Sequence, residues 1–197
     1  RPLQELYAMR QAEEILYHDP ETDEMLDASA ALHSGAYRES QVYTRYETGL
    51  RVWVNGSLGE QWAIDLNGEA YELPPSGFLA SGPSGLLVFS ALLDGARVDS
   101  ASWGDVAFAD ARGKLQPIGP LKTDGAALLK KASDKRWTLW PLGNMTALTV
   151  SVPADAVTVQ AFDEDGAPLE LPETTVFDTR VLLPTDLGAF RYELTIP

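Results

Sequence analysis

Trp62-Ala63-Ile64-Asp65-Leu66-Asn67-Gly68-Glu69-Ala70-Tyr71-Glu72-Leu73-Pro74 is the stretch that decides the fold class. Two short runs flank Asn67-Gly68, a dipeptide whose residues both tolerate the positive φ that a tight type I′ hairpin turn needs. Pro74-Pro75-Ser76-Gly77 then stops the second strand, because proline cannot donate to a ladder. Upstream, the period from Gln41 alternates. Val42, Thr44 and Tyr46 point one way and Tyr43 and Arg45 the other. Leu50, Val52 and Val54 alternate with Arg51 and Trp53 up to Asn55-Gly56, which reads as another turn. Downstream, residues 78–80 and 86–92 continue as short strands, and Asp94-Gly95 marks a boundary after which the pattern restarts. Residues 103–109, 136–140, 147–152, 157–162, 181–183 and 190–196 repeat the theme, while 126–131 fits helix or strand by propensity. Short strands at turn-punctuated spacing are the signature of a β-sandwich.

The opening differs. Leu3, Leu6, Tyr7, Ile15 and Leu16 approximate one apolar face of a helix over residues 3–16, ended by Pro20. No Ser, Asp or Asn caps its start. It reads as the last helix of something larger, cut at its front. The expected architecture is mainly β: two β-sandwich-like modules preceded by one N-terminal α-helix. Residues 1–36 form a helix and linker, a remnant of a preceding domain. The first β module covers 37–95 and the second β-sandwich module 96–197.

Composition narrows the function classes. The 197 residues are 45% hydrophobic and 22% charged, as in an ordinary folded globule. A net charge of −14 repels phosphate backbones and argues against nucleic acid as a partner. No apolar run is long enough for a membrane span. With no cysteine there is neither a thiolate nucleophile nor a disulfide framework. His18 and His33 are the only imidazoles, so three cannot converge within one chain.

Candidate chemistry is sparse. Asp19, Asp23 and Asp27 recur every four residues and Asp163-Glu164-Asp165 is a dense triplet, but neither has the ligand spacing of a calcium loop. Both read as solvated turns. No context places two carboxylates in one apolar cleft, as glycoside hydrolysis requires. Ser81-Gly82-Pro83-Ser84-Gly85 is not a nucleophile elbow, and no phosphate-cradling loop is present. His18 and His33 read as surface groups. No catalytic residue, metal ligand or cofactor is assigned. Aromatics remain: Trp53, Trp62, Trp103, Trp137 and Trp140 can supply flat apolar platforms for sugar rings. Trp53 lies opposite Val52 and Val54, and the odd spacing of Trp137 and Trp140 puts them on opposite faces of a strand. Trp103, beside Ser102 and Gly104 where the strand over 103–109 should start, is the leading exposed candidate, with Trp53 second.

Thr44-Arg45-Tyr46-Glu47-Thr48-Gly49-Leu50-Arg51-Val52-Trp53-Val54-Asn55-Gly56-Ser57, followed by Gly68, Tyr71, Leu73-Pro74-Pro75 and Gly77-Phe78, carries a resemblance. It resembles the β-rich region behind the catalytic (β/α)₈ barrel in glycoside-hydrolase-like proteins of bacterial polysaccharide degraders. Asp110-Ala111-Arg112-Gly113-Lys114 and Thr123-Asp124-Gly125-Ala126 resemble a second β module attached behind it. The resemblance implies a noncatalytic C-terminal region that braces the barrel or helps hold polysaccharide. Its partner would be the missing N-terminal catalytic barrel, and its location extracellular or periplasmic. The catalytic carboxylates would sit at barrel strand ends, outside this sequence. Two other readings stand beside it: an independent carbohydrate-binding module and, least favoured, a small self-contained glycan hydrolase.

Overall fold

The computed structural model describes residues 2–153, 156–172, 175–177 and 179–197. It is mainly antiparallel β and divides into two compact units, one up to Arg97 and one over Val98–Pro197. No helix among the described residues is long and apolar enough to cross a membrane.

The first unit comprises α1 (Pro2–Tyr7), β1 (Ala12–Asp19), β2 (Glu24–Leu26) and α2 (Ala28–Ser34), a 3₁₀ turn at Ala36–Glu39, and six further strands. These are β3 (Gln41–Tyr46), β4 (Arg51–Asn55), β5 (Trp62–Leu66), β6 (Glu69–Leu73), β7 (Phe78–Ser81) and β8 (Leu87–Leu93). They run antiparallel in the order β2-β1-β3-β4-β7-β8, and the β5–β6 hairpin joins at Glu72 opposite Leu92. The Asn67-Gly68 turn forms as read, with φ of 58° and 85°. Asp65 Oδ1 accepts from the Gly68 amide at 2.9 Å and braces it.

The opening helix is shorter than its apolar pattern suggests. It ends at Tyr7, and Ile15 and Leu16 lie on β1, paired with Thr44 and Tyr43 of β3. The apolar spacing lapses over Arg10-Gln11-Ala12-Glu13-Glu14, so no continuous face carries a helix through to Leu16. Met9, at φ 61°, makes the turn between them. α1 rests on its own unit: Thr48 Oγ1 donates to the Leu6 carbonyl at 2.8 Å, and the Tyr7 ring meets Tyr46 at 6.3 Å. Leu3 and Leu6 are half-buried.

Asn55-Gly56 is not a hairpin turn. β4 pairs with β7 rather than with the strand that follows it, and Asn55 is fully buried. Its Nδ2 donates to the Leu73 and Glu60 carbonyls, each at 2.8 Å. Its Oδ1 accepts from the Ser57 amide at 3.1 Å and from Gln41 Nε2 at 3.3 Å. That polarity leaves Gln41 Oε1 facing His18 Nδ1, which donates at 2.6 Å. His18 is therefore buried, not a surface group, and stacks on Trp62 at 5.2 Å. His33 is exposed. Asn55→Ala leaves the buried Ser57 amide and Gln41 Nε2 without their Asn55 acceptor, at roughly 1–3 kcal/mol each. Urea unfolding of this variant should show a loss of about 3 kcal/mol as a lower midpoint at unchanged slope.

The second unit begins inside β9 (Ala96–Trp103) and continues through β10 (Val106–Asp110), β11 (Gln116–Ile118), β12 (Leu121–Thr123), β13 (Ala126–Ser133) and β14 (Arg136–Leu142). It is completed by β15 (Leu148–Ser151), β16 (Thr158–Phe162), β17 (Pro168–Leu169), β18 (Thr175–Phe177), β19 (Arg180–Leu183) and β20 (Arg191–Thr195). The ambiguous stretch is strand β13, held by β10 on one side and β14 on the other. One sheet runs β17-β16-β20-β14-β13-β10-β9 and a smaller one β11-β12-β15-β19-β18. Ala127, Leu129, Trp137, Leu139, Tyr192 and Leu194 of the first are buried with Ile118, Leu121, Leu148, Val150, Val181 and Leu183 of the second. This is a sandwich-like core in which alternate residues of each strand face inward. The Tyr192 hydroxyl donates to the Pro184 carbonyl and ties the start of β20 to the end of β19, in the manner of a tyrosine corner.

Candidate functional site

Alternation in the larger sheet of the second unit fixes what its other face displays. Trp137 is buried and Trp140, three residues on, is half-buried on the outward face. The register aligns Ala101, Phe108, Leu128 and Trp140 in one row across β9, β10, β13 and β14. One step past Leu139 opposite Tyr192, the row reaches Arg191, whose partner is Phe162 on β16. Phe108 to Trp140 and Trp140 to Phe162 are each two strands apart, about 10 Å at ordinary strand spacing. The neighbouring row carries Trp103, Val106, Lys130, Thr138, Glu193 and Gln160. Trp103, Phe108, Trp140 and Phe162 are all half-buried, so their rings are part of the surface without being fully solvated. The Arg191 guanidinium sits 4.3 Å over the Phe162 ring and its Nε donates to Glu193 Oε1 at 3.1 Å. The face therefore combines aromatic area with charged and amide groups that can orient hydroxyls.

In the first unit Trp53 lies on the face opposite Val52 and Val54, as its spacing predicts. It is half-buried, 5.0 Å from the Tyr43 ring, with the Arg51 guanidinium 5.7 Å from its centroid. Arg51 Nη2 donates to Ser81 Oγ at 3.5 Å. On the next strand Arg45 is taken up by Glu13 and Glu14. Burial, with Glu14 adding to it, pushes the Tyr43 phenol above its ordinary range, so it is a neutral hydroxyl near neutral pH. Trp53 and Trp103 lie in different units, and Trp103 closes β9 rather than opening the strand expected over 103–109, which begins at Val106. Phe108 and Phe162 were missed by sequence reasoning, which weighed only Trp and Tyr; β alternation was the signal that could have found them.

The acidic clusters serve turns, caps and one buried imidazole: Asp19 is buried rather than solvated, and Asp23 Oδ1 lies 2.9 Å from His18 Nε2. Asp19 Oδ1 accepts from the Glu21 amide, Asp27 caps α2 through the Ala30 amide, and Asp163 Oδ1 accepts from the Ala167 amide. Among the described residues no three His, Asp or Glu side chains converge so as to hold a metal ion.

One end of the second unit holds a cavity of about 340 Å³, walled by Asn144, Met145, Glu164, Thr185, Phe190 and Tyr192 among others. Asp124 positions its Asn144–Met145 rim. The carboxylate accepts from the Thr146 amide at 2.9 and 3.1 Å, from the Ala147 amide at 3.1 Å and from the Thr146 hydroxyl. Desolvation pushes this carboxyl up, but the hydrogen bonds to its charged form together outweigh it and hold it below the ordinary carboxylate range.

No family model, curated protein or solved structure matches the chain.

Because its folded value lies below its unfolded one, Asp124 contributes stability that is full above the unfolded carboxylate range and is lost as pH falls through the folded value. Wild type should therefore exceed Asp124→Asn in unfolding free energy near pH 7. The gap should narrow below about pH 4. Urea titrations of both proteins across that range measure it, and a gap that widens on acidification would contradict the assignment.

Proposed function

We propose that this chain is a noncatalytic, glycan-contacting β region of a carbohydrate-active enzyme. The supporting observation is the outward row of the second unit, where Phe108, Trp140 and Phe162 recur at two-strand intervals with Trp103 beside them. Sugar rings present flat C–H faces to aromatic rings, while their hydroxyls need the polar partners that Gln160, Thr138 and Glu193 offer along the neighbouring row. A regular aromatic spacing suits a polymer with a regular repeat better than a compact small molecule. The net charge of −14 favours a neutral polysaccharide over a polyanionic one. Trp53, with Tyr43 and Arg51, supplies a second, smaller platform. Bracing of a catalytic barrel is the other part of the expected role, and the apolar face of the first unit's sheet that lies opposite Trp53 bears on it. There Ile15 and Val54 are 48% and 43% exposed, beside half-buried Val42 and Val52.

Pull-down on insoluble neutral polysaccharides tests the proposal. Wild type should be retained by at least one of them. Trp140→Ala and Trp103→Ala should each weaken retention about fivefold, the worth of roughly 1 kcal/mol of aromatic contact. Circular dichroism should be unchanged, since neither ring is in the core. Retention of both variants at the wild-type level would eliminate the row as the contact surface.

A further inference from the structure

The end cavity of the second unit lies one or two residues beyond the aromatic row along the same three strands. Pro141 follows Trp140, Phe190 precedes Arg191, and Glu164 lies two residues after Phe162. The Phe190 amide donates to the Phe162 carbonyl at 2.8 Å, so the row and the cavity mouth are joined through the backbone. Phe190 is 46% exposed and forms an aromatic wall. Asn144 and Glu164 are exposed at the mouth, and among the described residues neither side chain has a hydrogen-bond partner. The Tyr192 hydroxyl, already bound to the Pro184 carbonyl, closes the floor. About 340 Å³ lies at the small end of the range for ligand sites, which suits a short saccharide and not a polymer strand.

We propose that this cavity is a second subsite, taking a short or terminal neutral sugar with Phe190 as the stacking wall and Asn144 and Glu164 as hydrogen-bonding groups. The inference rests on the reading of the chain as glycan-contacting. Charge selects the sugar class. Glu164 lies at the mouth, with Asp163 and Asp165 its neighbours in sequence, and Asp186 lies near Tyr192, so uronates and sulfated sugars are disfavoured. Asn144 offers two donors and an acceptor and Glu164 accepts only, a set that matches vicinal hydroxyls. A polymer lying on the row could then place its end in the cavity, and the two sites would add through one ligand.

The test is NMR titration of the full 197-residue chain with cellotriose, maltotriose and mannotriose, and with trigalacturonate as the anionic control. At least one neutral trisaccharide should shift the Asn144, Thr185 and Phe190 amides. Phe190→Ala and Asn144→Ala should each weaken that binding about tenfold, and Leu32→Ala, on the exposed side of α2 in the first unit, should leave it unchanged. Two variants guard against a folding artefact at either position. Absence of neutral trisaccharide shifts at the cavity, unchanged binding in both variants, or tighter binding of trigalacturonate would overturn the subsite. If polysaccharide retention still depends on Trp140 while the cavity stays silent, the subsite fails and the aromatic row stands. If a trisaccharide seats in the cavity while no polysaccharide is retained, the row fails and the subsite stands.

Discussion

Burying one face of a pleated strand commits the other face to solvent, and in the second unit that constraint bears most heavily on β14. Trp137 and Leu139 enter the core with Leu129 and Tyr192, so Thr138 and Trp140 must point outward. A shift of one residue would bring Trp140 into the core and expose Trp137. The register is therefore strongly specified by the hydrophobic cost of the alternative. The same commitment passes strand by strand through β13 to β10 and through β20 to β16, and it is what assembles the aromatic row. The row is a by-product of a well-specified core, held on rigid elements.

Buried polar groups complete what apolar packing leaves open. Asn55 holds the loop after β4 to the β5–β6 hairpin through backbone partners, and the direction of those bonds orients Gln41 and then His18. A buried amide that satisfies four partners specifies one loop path, because any other path strands a donor or an acceptor. Asp124 does the corresponding work at the surface of the second unit, ordering residues 144–147 beside the end cavity. Tyr192 pins the opposite wall through Pro184. The loops beside the end cavity are in this way held by side-chain hydrogen bonds to backbone groups.

Electrostatics and aromatic area act together in the functional reading. The overall negative charge disfavours polyanions at long range, leaving neutral ligands to be selected by shape and stacking at short range. Arg191 over Phe162 and Arg51 over Trp53 keep cationic groups beside aromatic rings, where they add polar donors.

How much was legible depended on the range of the signal. The Asn67-Gly68 hairpin, the strands β3 to β6 between Gln41 and Leu73 and the opposite faces of Trp137 and Trp140 follow from local turn chemistry and a period of two, so the amino-acid order alone determined them. Where two periods fitted equally, it misled: the apolar residues at 15 and 16 suited a helix until pairing with β3 claimed them for β1. Asn55 looked like a turn residue because its chemistry is the same in a turn and in a buried hub. Only long-range pairing decided which tryptophan faced water, which phenylalanines joined Trp103 and Trp140, and that loops near residues 144, 164 and 190 would meet around one cavity. Those outcomes come from contacts between residues far apart in the chain, whose energies appear only once loop closure has brought the strands together.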